Sequence, residues 1–369
     1  MIGMSGVIPF LPLYVRDLGV APADAPLWSG VIISAPFMMA ALLTPLWGSL
    51  GDKYGQKAMV LRAVAGLGIT VSLMGFAPNI WVLLVLRLAQ GAASGFVASN
   101  NAFVSAQTPQ DHAGYALGML QTSISAGNII GPLIGGAIAD AFGFRDVFFL
   151  VGGLCFVSFV IAWTQLKEER TSQSGKRASV RHNLGIAMRD DGLRRLLLIL
   201  VVSQTAVVLT SPIFPYYLQQ LGAPQEILGS LAGAVVSIVG VATLISAPWW
   251  GKRSDRIGYQ RAMFGATLIV SIGMAAQAIV PSYEWIFPIR LIIGLAVGAL
   301  LPLTYGELTR RAPAGRRGGI MGLASSATLI GNLIGPLLCA AITSQLPLFM
   351  AFVTASGLMM VVHFVSRRG

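Results

Sequence analysis

The chain has 369 residues, of which 55% are apolar and only 11% are charged. Soluble domains carry about a quarter charged residues, so this composition excludes a water-soluble globular protein and indicates a polytopic membrane protein. The net charge of +11 does not indicate nucleic-acid binding, because nearly all lysines and arginines fall in alternate loops, as expected for cytoplasmic loops. Two cysteines in apolar runs and three scattered histidines predict no disulfide framework and no metal site, and no cofactor is expected.

Apolar segments recur along the whole chain and are long enough to cross about 30 Å of hydrocarbon as helices. Twelve spans are predicted, at residues 1–16, 27–50, 57–77, 79–101, 113–140, 144–166, 195–219, 226–250, 260–280, 283–305, 315–343 and 347–366. The basic loops place both termini in the cytoplasm. The sequence therefore predicts an all-α membrane protein with 12 transmembrane helices.

One long polar segment, residues 167–194, interrupts this series. It is rich in lysine, arginine, glutamate and serine, which is typical of a cytoplasmic connector between two halves. The part from Leu184 to Arg195 is predicted to form a short interfacial helix.

The chain repeats itself with an offset of about 203 residues, which predicts two six-helix halves at residues 1–166 and 195–369. Because the two halves keep the same orientation, they are parallel repeats, and substrate is expected at their interface near the membrane midplane. The counterpart of Leu196, where span 7 begins, would lie eight residues before Met1. The first span is therefore expected to be truncated at its start, through a misassigned start codon or a shortened chain rather than a naturally short helix.

A charged, glycine-punctuated turn follows span 2 and recurs after span 8. The first copy contains Gly48, Asp52, Lys53, Gly55 and Lys57, and the second keeps Gly251, Asp255, Arg256 and Gly258. A glycine at a helix end allows another helix to approach closely, and an acid at this depth can lie against the positive N-terminus of a neighbouring helix. The alternative is that the charges only anchor the turn in solvent.

Arg87 lies well inside an apolar run, where a charge costs at least about 2.5–3.5 kcal/mol. It is a functional candidate that needs a carbonyl or acid partner, and Gln90 lies on the same helix face. Arg290 occupies the matching place in span 10. The alternative is a snorkelling arginine that binds backbone carbonyls.

Span 5 carries a run of small residues around a proline, namely Gly127, Gly131, Pro132, Gly135 and Gly136. Glycines four residues apart form a smooth helix face, and the proline invites a kink. We expect a bending seam between span 5 and a helix of the other half, with a plain packing seam as the alternative.

Together these motifs resemble the major facilitator superfamily over essentially the whole chain. The turn Gly48–Lys57 resembles its loop 2–3 motif, Arg87–Gly95 its span 4 motif and Gly127–Gly136 its antiporter motif. The segment Phe10–Gly19 resembles the drug:proton antiporter-1 family, in particular its MdtG-like multidrug exporters.

The resemblance implies the major facilitator fold in a bacterial cytoplasmic membrane. It implies that Asp52 latches the cytoplasmic side against the start of span 11, near Arg316, that Arg87 serves proton or substrate coupling, and that the span 5 glycines seal against proton leak. One feature departs from the pattern, because no aspartate or glutamate lies in the middle of a span. Glu307 remains a coupling candidate, but it lies beside Arg310 and Arg311, where a solvated ion pair is the alternative.

Spans 1, 4, 7 and 10 are expected to line the substrate cavity, with help from spans 2, 5, 8 and 11. Its candidate residues are Tyr14, Phe37, Met38, Asn100, Asn101, Gln121, Gln204, Phe214, Tyr217 and Tyr305, each of which is also suited to a helix core. Methionine and aromatic side chains form adaptable surfaces for lipophilic molecules.

These observations predict a monomeric exporter of small lipophilic or amphiphilic compounds that works by alternating access and is driven by protons. A facilitator or proton symporter for a small metabolite such as a sugar is the alternative, and paired polar groups at the midplane would indicate it. A membrane-embedded enzyme is not expected, because serine, histidine and cysteine form no grouping of nucleophile, base or metal ligands.

Overall fold

A computed structural model describes residues 2–108, 110–166, 168, 180–313 and 316–367. Over these residues the fold is entirely helical. The first half contains α1 (Ile2–Val7), α2 (Leu11–Asp17), α3 (Ala25–Tyr54), α4 (Gln56–Met74), α5 (Ile80–Ala92), α6 (Phe96–Gln107), α7 (Gln110–Phe142) and α8 (Phe144–Gln165). After these come α9 (Val180–Arg189), α10 (Asp191–Leu209), α11 (Phe214–Gln220), α12 (Leu228–Ile257), α13 (Tyr259–Gln277), α14 (Ile286–Arg311), α15 (Arg317–Thr343) and α16 (Phe349–Arg367).

Nine helical segments in the described part of the chain are long and apolar enough to cross a membrane. Of the three other predicted spans, two are built from pairs of shorter helices, α1 with α2 and α5 with α6, and the third is the single helix α13. The first pair is separated around Pro9, and Pro12 lies in the first turn of α2, where its missing N–H costs no helical hydrogen bond.

The break between α5 and α6 is held by side chains from two neighbouring helices. Gly95 adopts φ +107°, a left-handed conformation that favours glycine. The carbonyl oxygens freed at the break are bound by Arg62 Nη2, 2.7 Å from Ser94 O, and by Trp47 Nε1, 2.8 Å from Ala92 O. Broken backbone is tolerated inside a membrane protein where such partners satisfy its polar groups.

The boundaries of the charged turns differ from the prediction. Helix α3 continues to Tyr54, so Gly48, Asp52 and Lys53 lie in its last turns, and only Gly55, with φ +97°, separates it from α4. Likewise α12 continues to Ile257 and Gly258 has φ +88°. The helices continue past the apolar residues because a charged stretch at the membrane surface is still a good helix former until the glycine ends it.

The linker helix also differs from the prediction. Helix α9 ends at Arg189, whereas Arg195 already belongs to α10. The cause is Asp190, whose carboxylate accepts a hydrogen bond from Leu193 N at 2.8 Å and thereby caps a new helix. The predicted short helix therefore exists, but it lies earlier in the chain.

The chain divides into two units. Unit 1 contains Met1–Ser174 and Pro224–Ser237, and unit 2 contains Gly175–Ala223 and Ile238–Gly369. The predicted halves at residues 1–166 and 195–369 describe the sequence repeat and stay a prediction.

The core of unit 1 is built around Tyr14. Its ring is fully buried against Phe148, with ring centroids 4.9 Å apart, and its hydroxyl donates to Met74 O at 2.8 Å. Trp47 of the same unit binds a carbonyl of α5, as described above.

Unit 2 repeats this arrangement at the positions that the sequence offset specifies. Tyr217 packs on Phe352 at 4.6 Å and donates to Gln277 O at 2.6 Å. Trp250 Nε1 donates to Leu295 O at 2.7 Å. The internal repeat is therefore present in the hydrogen bonds of the core as well as in the loop motifs.

Candidate functional site

The turn between α3 and α4 is clamped by a residue of the linker. The Glu168 carboxylate accepts hydrogen bonds from Gln56 N at 2.6 Å and Lys57 N at 3.2 Å, at the start of α4. Lys57 Nζ in turn donates to Trp163 O at 3.0 Å. A Cβ at Gly55 would lie 2.5 Å from Glu168 Oε2, the far end of a flexible side chain that can shift, so the φ of +97° is what favours glycine here. Sequence reasoning missed Glu168, because the linker composition indicated only a polar connector.

The contacts of this turn do not include Asp52, the predicted latch residue. The side chain of Asp52 and the surroundings of Gly48 lie outside the described part of the chain. Lys53 is exposed, with its ammonium 5.2 Å from the Tyr54 ring centre. The latch at Asp52 therefore stays a prediction.

The second copy of the turn is more open. Asp255 and Arg256 are exposed at the end of α12, and a Cβ at Gly258 would meet nothing within 4 Å. The two copies therefore share their backbone conformation but differ in their surroundings.

Arg87 is buried in unit 1, with 5% of its surface exposed. Its Nη1 donates to Gln90 Oε1 at 2.9 Å, whereas Nε and Nη2 have no hydrogen-bond partner among the described residues. The sequence thus placed Gln90 on the right helix face. A buried guanidinium with two unused donors is available to a carbonyl, a carboxylate or another anion.

Arg290 is the counterpart of Arg87 in unit 2 and has different partners. Its Nη2 donates to Thr210 Oγ1 at 3.2 Å, and its guanidinium carbon lies 4.0 Å from the centre of the Phe214 ring. Only 8% of its surface is exposed, and Nε lacks a hydrogen-bond partner in the described chain. The cation–π contact partly offsets the cost of burying this charge.

Glu307 lies near the end of α14 and is paired within its own helix. Its Oε1 is 2.7 Å from Arg311 Nε, and its Oε2 is 3.9 Å from Arg310 Nη1. The ion pair of the alternative is therefore formed, although the Glu307 side chain is only 14% exposed, and the coupling role stays a prediction.

Three of the span 5 glycines lie against α1, a helix of their own predicted half. A Cβ at Gly135 would strike the carbonyl oxygen of Gly6 in α1, and Gly131 O lies against Gly6 as well. Ser5 Oγ donates to Gly127 O at 2.9 Å. Gly127, Gly131 and Gly135 therefore pack against α1, within their own predicted half. A glycine has no side chain, so the helix that packs against it cannot be predicted from the residue itself.

Two other residues of the same motif lie against the beginning of α12, a helix of the predicted half at residues 195–369 whose first turns group with unit 1. These two residues contact the half that was expected, and the bending of this seam stays a prediction. A Cβ at Gly136 would strike Gly229 O, and a Cβ at Gly233 would strike Pro132 O. Helix α7 thus has two small-residue faces, one toward α1 and one toward the start of α12.

The predicted cavity residues fall into two groups. Tyr14, Phe214 and Tyr217 are buried inside their own units. The others are at least partly exposed, and two of them have polar partners, since Gln204 Nε2 donates to Asn332 Oδ1 at 2.9 Å and Tyr305 Oη lies 3.1 Å from Thr328 Oγ1. The exposed or partly exposed residues are Phe37, Met38, Asn100, Asn101, Gln121, Gln204 and Tyr305.

Comparison with known proteins identifies the family of this chain. The family model described as Major Facilitator Superfamily matches residues 1–198 and again residues 196–368. The chain belongs to the major facilitator superfamily. The two matches together cover nearly the whole chain, and the predicted fold class is confirmed.

Relatives of this major facilitator include two proteins named "Multidrug resistance protein MdtG". The one from Dickeya zeae is 34% identical over 364 residues, which cover 98% of this chain and 89% of the relative. The one from Escherichia fergusonii is 36% identical over 346 residues, which cover 92% of this chain and 84% of the relative.

Two solved structures share the fold at low identity. A bacterial homologue of the human lysosomal transporter Spinster, in an inward-facing and occupied conformation, superposes with a TM-score of 0.82 at 16% identity, covering 99% of this chain and 92% of that one. The nucleoside transporter NupG gives a TM-score of 0.76 at 12% identity, covering 100% of this chain and 99% of that one. This major facilitator is therefore an integral protein of a bacterial inner membrane and a transporter, not an enzyme.

Proposed function

We propose that this protein exports small lipophilic or amphiphilic compounds, including drugs, across the bacterial inner membrane. The observation that carries the proposal is the 34–36% identity to proteins named for multidrug resistance, which extends over more than nine-tenths of the chain. Superfamily membership alone would leave the cargo open, because one fold hosts many functions.

Alternating access is the proposed mechanism, with cargo bound near the midplane where repeat-related spans meet. The partly exposed residues Phe37, Met38 and Gln121 supply apolar and polar surface for varied cargo, together with Asn100 and Asn101. Gln204 and Tyr305 of unit 2 are already hydrogen-bonded to neighbouring side chains, which fixes their orientation.

Proton entry is the proposed driving force, and Arg87 with Gln90 is the proposed coupling centre. Two unused donors on a buried guanidinium favour a negative partner, and losing or gaining that partner during transport would change the energy of the site substantially. Arg290 is proposed as the matching group of unit 2. Glu307 is less suited, since its carboxylate is engaged by Arg311.

We place both termini and the turn at Asp52 in the cytoplasm, because the basic loops lie on that side. The proposed active form is a monomer. In this topology Asp52 lies at the cytoplasmic end of α3, where it acts as a latch against the start of α15.

Transport by reconstituted vesicles tests the export proposal. A fluorescent lipophilic cation and a panel of uncharged and anionic amphiphiles are offered with and without an imposed pH gradient. We expect movement of at least one class against the proton flow, which collapses when a protonophore removes the gradient. Cargo that moves with the protons would indicate a symporter, and no gradient-dependent movement for any class would refute proton antiport.

The repeat supplies a matched control for the latch. Asp52→Asn removes the charge at the first turn, and Asp255→Asn makes the same change at the second, where the side chain is exposed. We expect the first variant to lower the transport rate about tenfold with normal expression, and the second to change it less than twofold. Equal effects would reduce Asp52 to a topology anchor.

A further inference from the structure

The beginning of α12 lies antiparallel to the end of α7 along a seam of backbone contacts, all within unit 1. Ser237 Oγ donates to Ile129 O at 2.6 Å. About one turn further along α7, Gly233 meets Pro132 O, and one turn beyond that Gly229 and Gly136 meet each other. The seam contains glycine, serine and proline at its contact points, so its two helices approach closely without interlocking large side chains.

Asp140 closes this seam at its end. Its Oδ1 accepts from Gly229 N at 2.8 Å and its Oδ2 from Ser230 N at 2.6 Å. Helix α12 begins at Leu228, so these two N–H groups belong to the first turn and have no carbonyl partner within the helix. A carboxylate there forms two charge-assisted hydrogen bonds and interacts favourably with the positive end of the helix dipole.

The segment that Asp140 holds is distinguished from the rest of its helix. Residues 224–237 group with unit 1, whereas α12 from Ile238 onward groups with unit 2. A single side chain thus fixes the first turn of a helix whose later turns pack elsewhere. Because Asp140 is only partly buried, water can replace its hydrogen bonds when the seam parts.

The internal repeat shows that an acid is not required for packing at this place. The glycine-proline motif of α7 recurs in α15, and Ser344 takes the position of Asp140 with an offset of 204 residues. Ser344 Oγ donates to Ala341 O at 2.9 Å, within its own turn. The carboxylate that reaches a second helix is therefore found in the first copy alone.

We propose that Asp140 is a positioning residue of the transport cycle, whose carboxylate holds the α7–α12 seam closed and sets how readily it opens. This inference rests on the alternating-access export proposed above. Asp140 lies near the C-terminal end of α7, and it belongs to none of the three sequence motifs: the charged turn, the arginine motif or the glycine-proline motif.

A cysteine reporter measures opening of the seam directly. Ser237 is 3% exposed, so in a background with Cys155 and Cys339 replaced by alanine, Ser237→Cys reacts with a maleimide only when the seam parts. The protein is studied in lipid nanodiscs, which leave both membrane faces accessible, so the result depends on neither topology nor cargo. A second reporter, Ser203→Cys, detects opening of the protein away from the seam, because Ser203 lies in α10 and is 2% exposed.

The expected result is specific to the seam. Asp140→Ala should raise the labelling rate at Ser237→Cys about tenfold and leave Ser203→Cys unchanged, while Asp140→Asn, which keeps one acceptor oxygen, should give an intermediate rate. Asp146→Ala, which removes an exposed acid from the first turn of α8, is the matched control and should change neither rate.

Two outcomes would overturn the proposal. If Asp140→Ala raises both reporters equally, the residue only supports global stability, and if it raises neither, the carboxylate does not hold the seam. Because no cargo is used, these outcomes are independent of whether the protein exports drugs. If the vesicles showed no gradient-dependent transport, proton antiport would be refuted, but the labelling rates would still test whether Asp140 holds the seam.

Discussion

The hydroxyl of Tyr14 lies 2.8 Å from the carbonyl oxygen of Met74 and donates a hydrogen bond to it. Met74 is the last residue of α4, and its carbonyl oxygen also accepts from Ala77 N at 3.1 Å, so the side chain of α2 adds a second hydrogen bond at the end of this helix. Tyr217 likewise donates to the carbonyl oxygen of Gln277, the last residue of α13. The paired tyrosines therefore stabilise each unit and are poorly placed to contact cargo.

Removing these hydroxyls should lower stability without abolishing transport. Tyr14→Phe and Tyr217→Phe each lose one buried hydrogen bond, worth about 0.5–1.5 kcal/mol. We expect a lower midpoint of thermal unfolding in detergent for both variants and nearly normal cargo movement. Tyr115→Phe, at a residue that is 75% exposed, is the control and should leave the midpoint unchanged. A loss of transport with unchanged stability would instead place these tyrosines in the cargo site.

Glycines of α7 should differ sharply in their tolerance of a methyl group. Gly135→Ala would drive Cβ into the backbone of α1 at Gly6, and overpacking of this kind costs about 1–3 kcal/mol. Gly118→Ala lies in the same helix with open space around Cβ, so it should be neutral or stabilise the helix by up to about 1 kcal/mol. Thermal unfolding of the two variants, side by side, checks this difference. Equal midpoints would mean that α1 does not pack on α7 as described.

Much of the fold could be predicted from the sequence because its signals are local or periodic. Long apolar runs give the spans, and the offset of 203 residues gives the repeat, which the structure reproduces in Trp47 and Trp250 as well as in the two tyrosines. The fold class follows from these signals, and the superfamily from the resemblance of the loop, arginine and glycine-proline motifs.

The partners of the site residues could not be predicted in the same way. Glu168 binds the start of α4 from 112 residues away in sequence, and nothing in a polar linker marks one glutamate as a helix cap. Gly131 and Gly135 face α1 although their spacing fits any close helix. Arg87 is the contrary case, because Gln90 is three residues away on the same helix and its contact follows from helical geometry.

The Arg87–Gln90 pair should show strong energetic coupling. Gln90→Leu leaves the buried guanidinium without its hydrogen bond and should cost about 1–3 kcal/mol, because an unsatisfied buried polar group carries its full desolvation penalty. Arg87→Met leaves only a neutral amide unpaired and should cost less. The double variant removes both polar groups and should be close to the wild type in stability, since replacing a buried polar pair by apolar residues is often neutral.

A double-mutant cycle on unfolding measures this coupling, and vesicle transport separates it from function. All three variants should lose gradient-dependent transport if Arg87 is the coupling centre, including the stable double variant. A double variant that transports normally would show that the pair is structural. Additive stability effects would show that the two side chains do not interact in the membrane.

Glu168 should control the local stability of the turn at Gly55. Its carboxylate satisfies two N–H groups at the start of α4, and a carboxylate cap of this kind is worth about 0.5–2 kcal/mol. Glu168→Ala should therefore speed hydrogen exchange at Gln56 and Lys57 about tenfold, as measured by mass spectrometry of peptides that cover this turn. Glu168→Gln, which keeps the acceptor oxygen but loses the charge, should give a smaller increase.

The exposed Glu284 provides the control for that measurement, because Glu284→Gln changes the same net charge far from the turn in sequence. It should leave exchange at Gln56 and Lys57 unchanged. If the Glu168 variants also leave it unchanged, the linker does not clamp the turn in the membrane. If exchange rises and export slows together, the linker stabilises the end of the helix that carries Asp52, because a loosened α4 start no longer fixes the position of the preceding α3 end.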